Sequence, residues 1–365
     1  MDENLKYKIA ISLIPNIGDV LAKRLVSYCG GVEAVFEEKK SALEKIPGIG
    51  DFHAKAVLTQ KVFNRVEEEI KFIQKNEITP LFYLDKEYPK RLTHCEDSPV
   101  LLYFKGNANL NSEKIISIVG TREATDYGKQ QCEKLIADLA IYNPIIVSGL
   151  AYGIDICAHK AAMDSGLTTV CGLAHGLDKI YPSLHKSIAD KMLENGGWLS
   201  DFTSKVPPDR ENFPRRNRIV AGMSDATIVI ESKAGGGSLI TADIANSYNR
   251  DVFAFPGRVN DECSVGCNNL IKQNKAALIQ SAADISYIMG WEQKTKNAPV
   301  QRQLFVELKP DEEILVNLLK EKESVNVDDI CLFAKMPMSK VSSLLLTLEF
   351  SGIVRSLPGK VYRLN

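Results

Sequence analysis

The sequence predicts an α/β protein whose core is a parallel sheet built from βαβ units. Two observations carry this expectation. Apolar runs at Ile115–Val119, 145–147 and 226–230 are too short to be helices, and each leads through a glycine-bearing loop into a helical pattern. Short buried strands alternating with helices are the signature of parallel βαβ construction. Strands are expected at 115–119, 145–148, 168–172, 226–231 and 251–255, within a core domain spanning 113–290.

The flanks differ in kind. Residues 1–75 read as all-helical and hold Ile14-Pro15-Asn16-Ile17-Gly18 and, later, Ile46-Pro47-Gly48-Ile49-Gly50, each followed by a helical pattern. This resembles a tandem of helix-hairpin-helix motifs, which turn backbone N–H groups toward a DNA phosphate. The same hairpin also serves for packing, and Asp19 and Asp51 beside it do not favour an anion. Residues 76–112, with Pro80, Pro89 and Pro99, read as an extended connector packing on the core. A polar linker is expected over 291–308. Residues 309–365 combine helical patterns at 311–321 and 338–350 with a Pro358-Gly359 turn between two short apolar runs, a winged-helix-like outline. Residues 310–365 hold seven bases against eight acids, a balance that favours protein over DNA as the partner of this module.

At 365 residues, 45% hydrophobic and 25% charged, the chain has the composition of a globular protein of two or three domains. No apolar run approaches the roughly 20 residues that span a bilayer, and the amino terminus lacks the apolar centre of a secretory signal. A cytoplasmic protein with no membrane partner is expected. Its eight cysteines lie mostly in apolar segments and are expected to be reduced core residues. Cys263 and Cys267 lack a second ligand pair, so no metal and no cofactor are expected. The net charge is −1, which excludes coating of nucleic acid by bulk charge and demands a local patch.

Such a patch is visible. Five basic residues and two acids lie between Lys205 and Arg218, where Phe213-Pro-Arg-Arg-Asn-Arg-Ile-Val-Ala-Gly222 sets Arg215, Arg216 and Arg218 beside an aromatic ring. Guanidinium groups next to a ring suit a polyanion with stackable bases. The three strand-end loops add backbone donors: Gly120, Thr121 and Arg122 after the first, Ser148, Gly149 and Gly153 after the second, Gly236, Gly237 and Ser238 after the third. Open parallel sheets gather ligands at the carboxyl ends of their strands, where helix N-termini favour anions. Single glycine loops also make ordinary turns. Three of them together with an arginine cluster predict a phosphate-binding crevice.

In order along the chain, Ser117-Ile-Val-Gly-Thr-Arg122, Ser148-Gly-Leu-Ala-Tyr-Gly-Ile-Asp155, Gly176-Leu-Asp-Lys-Ile-Tyr-Pro182, Phe213–Gly222, Gly237-Ser-Leu-Ile-Thr241 and Phe255-Pro-Gly257 resemble the bacterial DNA-processing protein A (DprA/Smf) family. The resemblance spans the α/β domain, and both flanking modules resemble longer family members. It implies an extended Rossmann-like fold that binds single-stranded DNA, protects incoming strands in natural transformation, and loads the RecA recombinase. It further implies a homodimer and no enzymatic activity. Carried to this sequence, Arg122 would contact a phosphate, Arg215, Arg216, Asn217 and Arg218 would extend the charged surface, and Phe213 would stack on a base. Asn268, Leu270 and Ile271 fall at the family's dimer contact. The chain departs from the family at Thr121, where Ser is usual, at His175, where Cys or Gly is common, and at Gln273-Asn274-Lys275, where Gly-Ala is usual.

The rival expectation is a nucleotide-binding protein or nucleotide-ribosyl hydrolase of a related fold, with Asp155 and Glu231 as acid and base. Simpler roles for the two are a helix N-cap and a strand end. Neither a P-loop nor a compact dinucleotide fingerprint is present. His159 reads as a helix-packing or pocket-wall residue. A scaffold with a vestigial pocket is the third possibility, but it gives no reason for the arginines to converge.

Overall fold

In the computed structural model, which describes residues 4–291, 308–322, 324–357 and 359–364, the predicted apolar runs become the middle of a nine-stranded sheet. Its strands are β1 (Thr79–Phe82), β2 (Leu101–Gly106), β3 (Ile115–Val119), β4 (Ile145–Ser148), β5 (Thr169–Gly172), β6 (Gly196–Ser200), β7 (Ala226–Val229), β8 (Asp251–Ala254) and β9 (Ala277–Leu278). The spatial order is β1-β2-β6-β5-β4-β3-β7-β8-β9. From β6 to β9 every neighbouring pair is parallel. The strand β2 pairs antiparallel with both β1 and β6.

The chain runs outward from β3 through β4, β5 and β6, then returns to the other side of β3 with β7. The order therefore reverses between β3 and β7, which creates a crevice at the carboxyl ends of those two strands. β3, β4 and β5 are buried along their whole length, as strands covered on both faces must be.

Residues 76–112, read as a connector, supply β1 and β2 to this sheet. Pro80 sits within the edge strand β1, where a missing N–H is tolerated. Alternate residues serve opposite faces: Phe82, Leu101, Tyr103, Cys171 and Trp198 share a core with Leu25, Val57 and Ile73 of the N-terminal helices. On the other face, Leu81, Leu102, Val170 and Leu199 pack with Ile219, Val220 and Ala242. The N-terminal helices thus cover one face of the sheet, and Met1–Gln280 forms one compact unit.

The first hairpin is tied to the core through one side chain. Asp19, at the start of the helix Asp19–Cys29, accepts from the Val100 N–H at 2.8 Å and from Arg218 at 2.8 Å. Asp51, at the second hairpin, pairs with Lys40 and Lys55.

The second unit, Ser281–Asn365, contains a winged-helix domain. Helices Pro310–Glu321, Val327–Ala334 and Met338–Phe350 pack around Leu315, Leu319, Ile330, Val341 and Leu345. Beside them lies a small sheet of β10 (Val325–Asn326), β11 (Val354–Leu357) and β12 (Val361–Leu364), in the order β10-β12-β11. Lys340, the base of the expected recognition helix, pairs with Asp311 at 2.7 Å. The linker expected over 291–308 lies, apart from its end residues, outside the described residues, as does Pro358.

All eight cysteines are free, six of them buried. Among the described residues, no single helix is long and apolar enough to cross a membrane, and no cluster of metal-ligating side chains occurs.

Candidate functional site

An open cleft of about 910 Å³ lies at the strand ends on either side of the reversal point. The loop after β3 contributes Gly120, Thr121 and Arg122, the loop after β4 contributes Gly149, and the loop after β7 contributes Gly236, Gly237 and Ser238. The helix Asn212–Gly222 closes the remaining side with Phe213, Arg216 and Asn217. Ten of the fourteen residues predicted for the strand site therefore meet in one cleft.

Two glycines set its geometry. Gly153 has φ +77°, and a Cβ there would overlap the Thr121 carbonyl, so only glycine brings the β4 loop this close to the β3 loop. A Cβ at Gly149 would overlap the Asp155 carboxylate and fall 2.6 Å from Arg216 Nη1. The helix Gly237–Ser247 starts at the cleft with no side chain capping it. Its first N–H groups and positive dipole end remain for an anion. By contrast, the helix Asp126–Leu139 is already capped, because Thr125 Oγ1 accepts from the Gly128 N–H at 3.1 Å.

Arg216 is almost fully buried. Its Nη1 donates to the Gly172 carbonyl, and its Nε donates to Asn217 Oδ1 at 3.2 Å. Burial works against its charge, and the neighbouring Asp155 favours it. Burial likewise pushes the Asp155 carboxyl above the usual carboxylate range, opposed chiefly by Arg216. The Arg122 guanidinium lies 5.4 Å from the Phe213 ring centroid, and Tyr181 meets Phe213 at 6.2 Å with planes tilted 51°. Arg122, Arg210, Arg216 and Lys233 line the cleft against Glu123 and Asp155: four positive groups and two acids, a local excess of +2.

The other four predicted strand-site residues lie elsewhere. Ser148 is buried beneath the cleft and donates to the Ile118 carbonyl at 2.6 Å, and Gly153 supports the loop from behind. Arg215 is exposed over the Phe202 ring, 5.2 Å from its centroid. Arg218 reaches Asp19 at 2.8 Å and Asp201 at 2.7 Å and donates to the Asp97 carbonyl. It ties the N-terminal helices to the core on another side of its helix. The three residues expected at a dimer contact lie on the helix Val265–Lys272. Leu270 is buried in the core, and the Asn268 amide exchanges hydrogen bonds with the Gly257 N–H and C=O, both 3.1 Å. Ile271 is only partly buried.

Reasoning from sequence missed Tyr181, Arg210 and Lys233. Signals for all three existed: the Tyr-Pro end of the Gly176–Pro182 motif, the basic run after Lys205, and a lysine inside the third glycine loop. Glu231 has a structural role, since its carboxylate accepts from the Thr125 N–H at 2.9 Å and from the Thr125 hydroxyl at 2.5 Å. Asp155 is not the N-cap of its helix, a position held by Gly153. His159 is fully buried, with Nδ1 on the Thr169 hydroxyl and Nε2 on the Gly149 carbonyl. It is a packing residue that fixes the second loop.

Comparison with known proteins follows the same outline. The DNA recombination-mediator protein A family model matches residues 79–290, and the DprA winged helix domain model matches 301–360. The chain is 31% identical to Protein Smf of Synechocystis sp. over 98% of both chains. The X-ray structure of DNA processing protein A from Streptococcus pneumoniae superposes with a TM-score of 0.67 at 31% identity, covering 77% of this chain and 97% of that one. A structure of the Helicobacter pylori protein, described for its single-stranded DNA binding mode, gives 0.52 at 30% identity, covering 57% and 94%.

Proposed function

Since the chain belongs to the DNA recombination-mediator protein A (DprA/Smf) family, we propose that its cleft holds single-stranded DNA. The observation that carries this reading is the convergence of Arg122, Arg216 and Lys233 with Phe213 and an uncapped helix start at the reversal point of the sheet. Phosphates lie against the guanidinium groups and loop N–H groups, and a base stacks on Phe213. Paired bases do not present their faces, so duplex binds more weakly. As a family member, the protein shields incoming strands and hands them to RecA in natural transformation, acting in the cytoplasm as a homodimer. Engagement of Glu231 by Thr125 removes the second carboxylate that a nucleotide hydrolase would need, which favours binding over catalysis.

Fluorescence anisotropy of labelled oligo-dT and of the matching duplex, across a salt series, tests the proposal. The strand should bind more tightly than the duplex, with log affinity falling by about 0.7 per phosphate neutralised for each unit of log salt. Arg122→Glu should flatten that slope and abolish most binding while leaving the fold intact. Equal affinity for duplex and strand, or no binding by folded wild-type protein, would overturn the reading.

A further inference from the structure

Of the two acids that line the cleft, Asp155 is buried beside Arg216, whereas Glu123 stands at the surface. Glu123 follows Arg122 in the loop after β3, and Lys233 lies in the loop after β7 that leads into the uncapped helix Gly237–Ser247. Their side chains meet: Lys233 Nζ donates to Glu123 Oε2 at 2.5 Å. The pair therefore joins the two loops that flank the reversal of strand order, in the lining of the cleft proposed to hold the strand.

The backbones on both sides are held while the side chains stay accessible. The Glu123 N–H donates to Thr121 Oγ1 at 3.2 Å, and Cys263 Sγ lies 3.8 Å from the Glu123 carbonyl. The Lys233 carbonyl accepts from the Gly236 N–H at 3.0 Å and from Ser232 Oγ at 3.1 Å. Yet 75% of the Glu123 side chain and 44% of the Lys233 side chain are exposed. Each charge sustains the other: Lys233 holds the Glu123 carboxyl below its usual range, and Glu123 holds the Lys233 ammonium above its own. An ion pair this open is weakly held. An ammonium that binds a carboxylate binds a phosphate through the same charge-assisted hydrogen bonds.

We propose that Glu123 is a built-in competitor of the strand: its carboxylate holds Lys233 where a backbone phosphate would bind, and strand entry exchanges one anion for the other. This deepens the single-strand reading, on which it rests, by naming a residue that sets affinity and salt dependence. When a phosphate takes Lys233, the displaced carboxylate gathers a cation from solution, which cancels the counterion that the phosphate releases. Removing the charge of Glu123 should therefore both tighten binding and steepen its salt dependence.

Anisotropy of labelled oligo-dT over a salt series, on the full-length protein, compares wild type with Glu123→Gln, Lys233→Gln and the double variant. Both side chains are exposed, so the variants should keep the wild-type urea midpoint. Glu123→Gln should bind about two- to fivefold more tightly at low salt, the range of an exposed ion pair, with a slope steeper by about 0.7. In the Lys233→Gln background the same substitution should bring no gain. A gain that persists there would be general relief of repulsion between an acid and a polyanion, and would overturn the competition. Unchanged or weaker binding by Glu123→Gln, with wild type still binding the strand, would overturn it too and leave the single-strand reading standing. Absence of strand binding by all four proteins would sink both.

Discussion

At the scale of single residues, the cleft depends on groups with no room to change. The Cβ of Gly149→Ala would enter the space between the Asp155 carboxylate and the Arg216 guanidinium. Overpacking of this kind costs about 1–3 kcal/mol. Urea denaturation should show that loss, and anisotropy should show weakened strand binding, because Arg216 is displaced from the Gly172 carbonyl. Wild-type affinity in Gly149→Ala would mean that Arg216 does not need its present position. His159 gives a pH dependence of definite sign. Burial lowers its pKa from the ordinary 6.5 to about 4. Between those values the unfolded chain binds a proton that the folded chain refuses, so stability rises with pH. The contribution is complete above about pH 6.5 and falls by about 3 kcal/mol on acidification to pH 4. His159→Gln should flatten the urea midpoint across this window relative to wild type; parallel pH profiles would refute the assignment.

At the scale of elements, the helix Asn212–Gly222 shows what sequence order hides. Successive helical residues turn by about 100°, so Arg215, Arg216 and Arg218 face three directions: the Phe202 ring, the cleft, and the Asp19–Asp201 pair. The sequence showed that the segment was basic and helical, but the azimuth of each arginine is settled by packing. Arg218→Ala leaves the buried Asp201 without its cation, a change that costs about 3–5 kcal/mol. Calorimetry should show the lowered transition, while strand affinity of the folded fraction stays unchanged; a loss of affinity instead would place Arg218 back at the cleft. The same contrast holds for strands. β3, β4, β5, β7 and β8 are short, mostly apolar runs and are legible. β6 opens with two glycines, which carry little strand propensity, and β1 contains a proline permitted only by its edge position. Their pairing is set by the long-range closure of the sheet, which local pattern does not encode. Leu270, buried in the core, shows a related limit: an apolar residue on a short helix suits an interface and a core equally until its neighbours are known.

At the scale of the whole molecule, a chain of net charge −1 concentrates an excess of +2 in one cleft. Every residue lining that cleft belongs to the first compact unit. A protein ending at Gln280 should therefore bind oligo-dT as the full chain does, measured by anisotropy under one salt condition; weakened binding would show that the winged-helix unit contributes to the strand contact. Because the N-terminal helices share a core with one face of the sheet, that shortened protein should also melt in a single transition.

The reversal of strand order between β3 and β7 has a consequence during synthesis. The crevice between these strands is made by loops that leave the ribosome more than a hundred residues apart, from Gly120 to Thr241. Until β7 has emerged and inserted beside β3, no partial chain possesses the cleft, however well its earlier strands have paired. Nascent chains stalled before β7 should therefore ignore oligo-dT, and those stalled well beyond it should capture the strand.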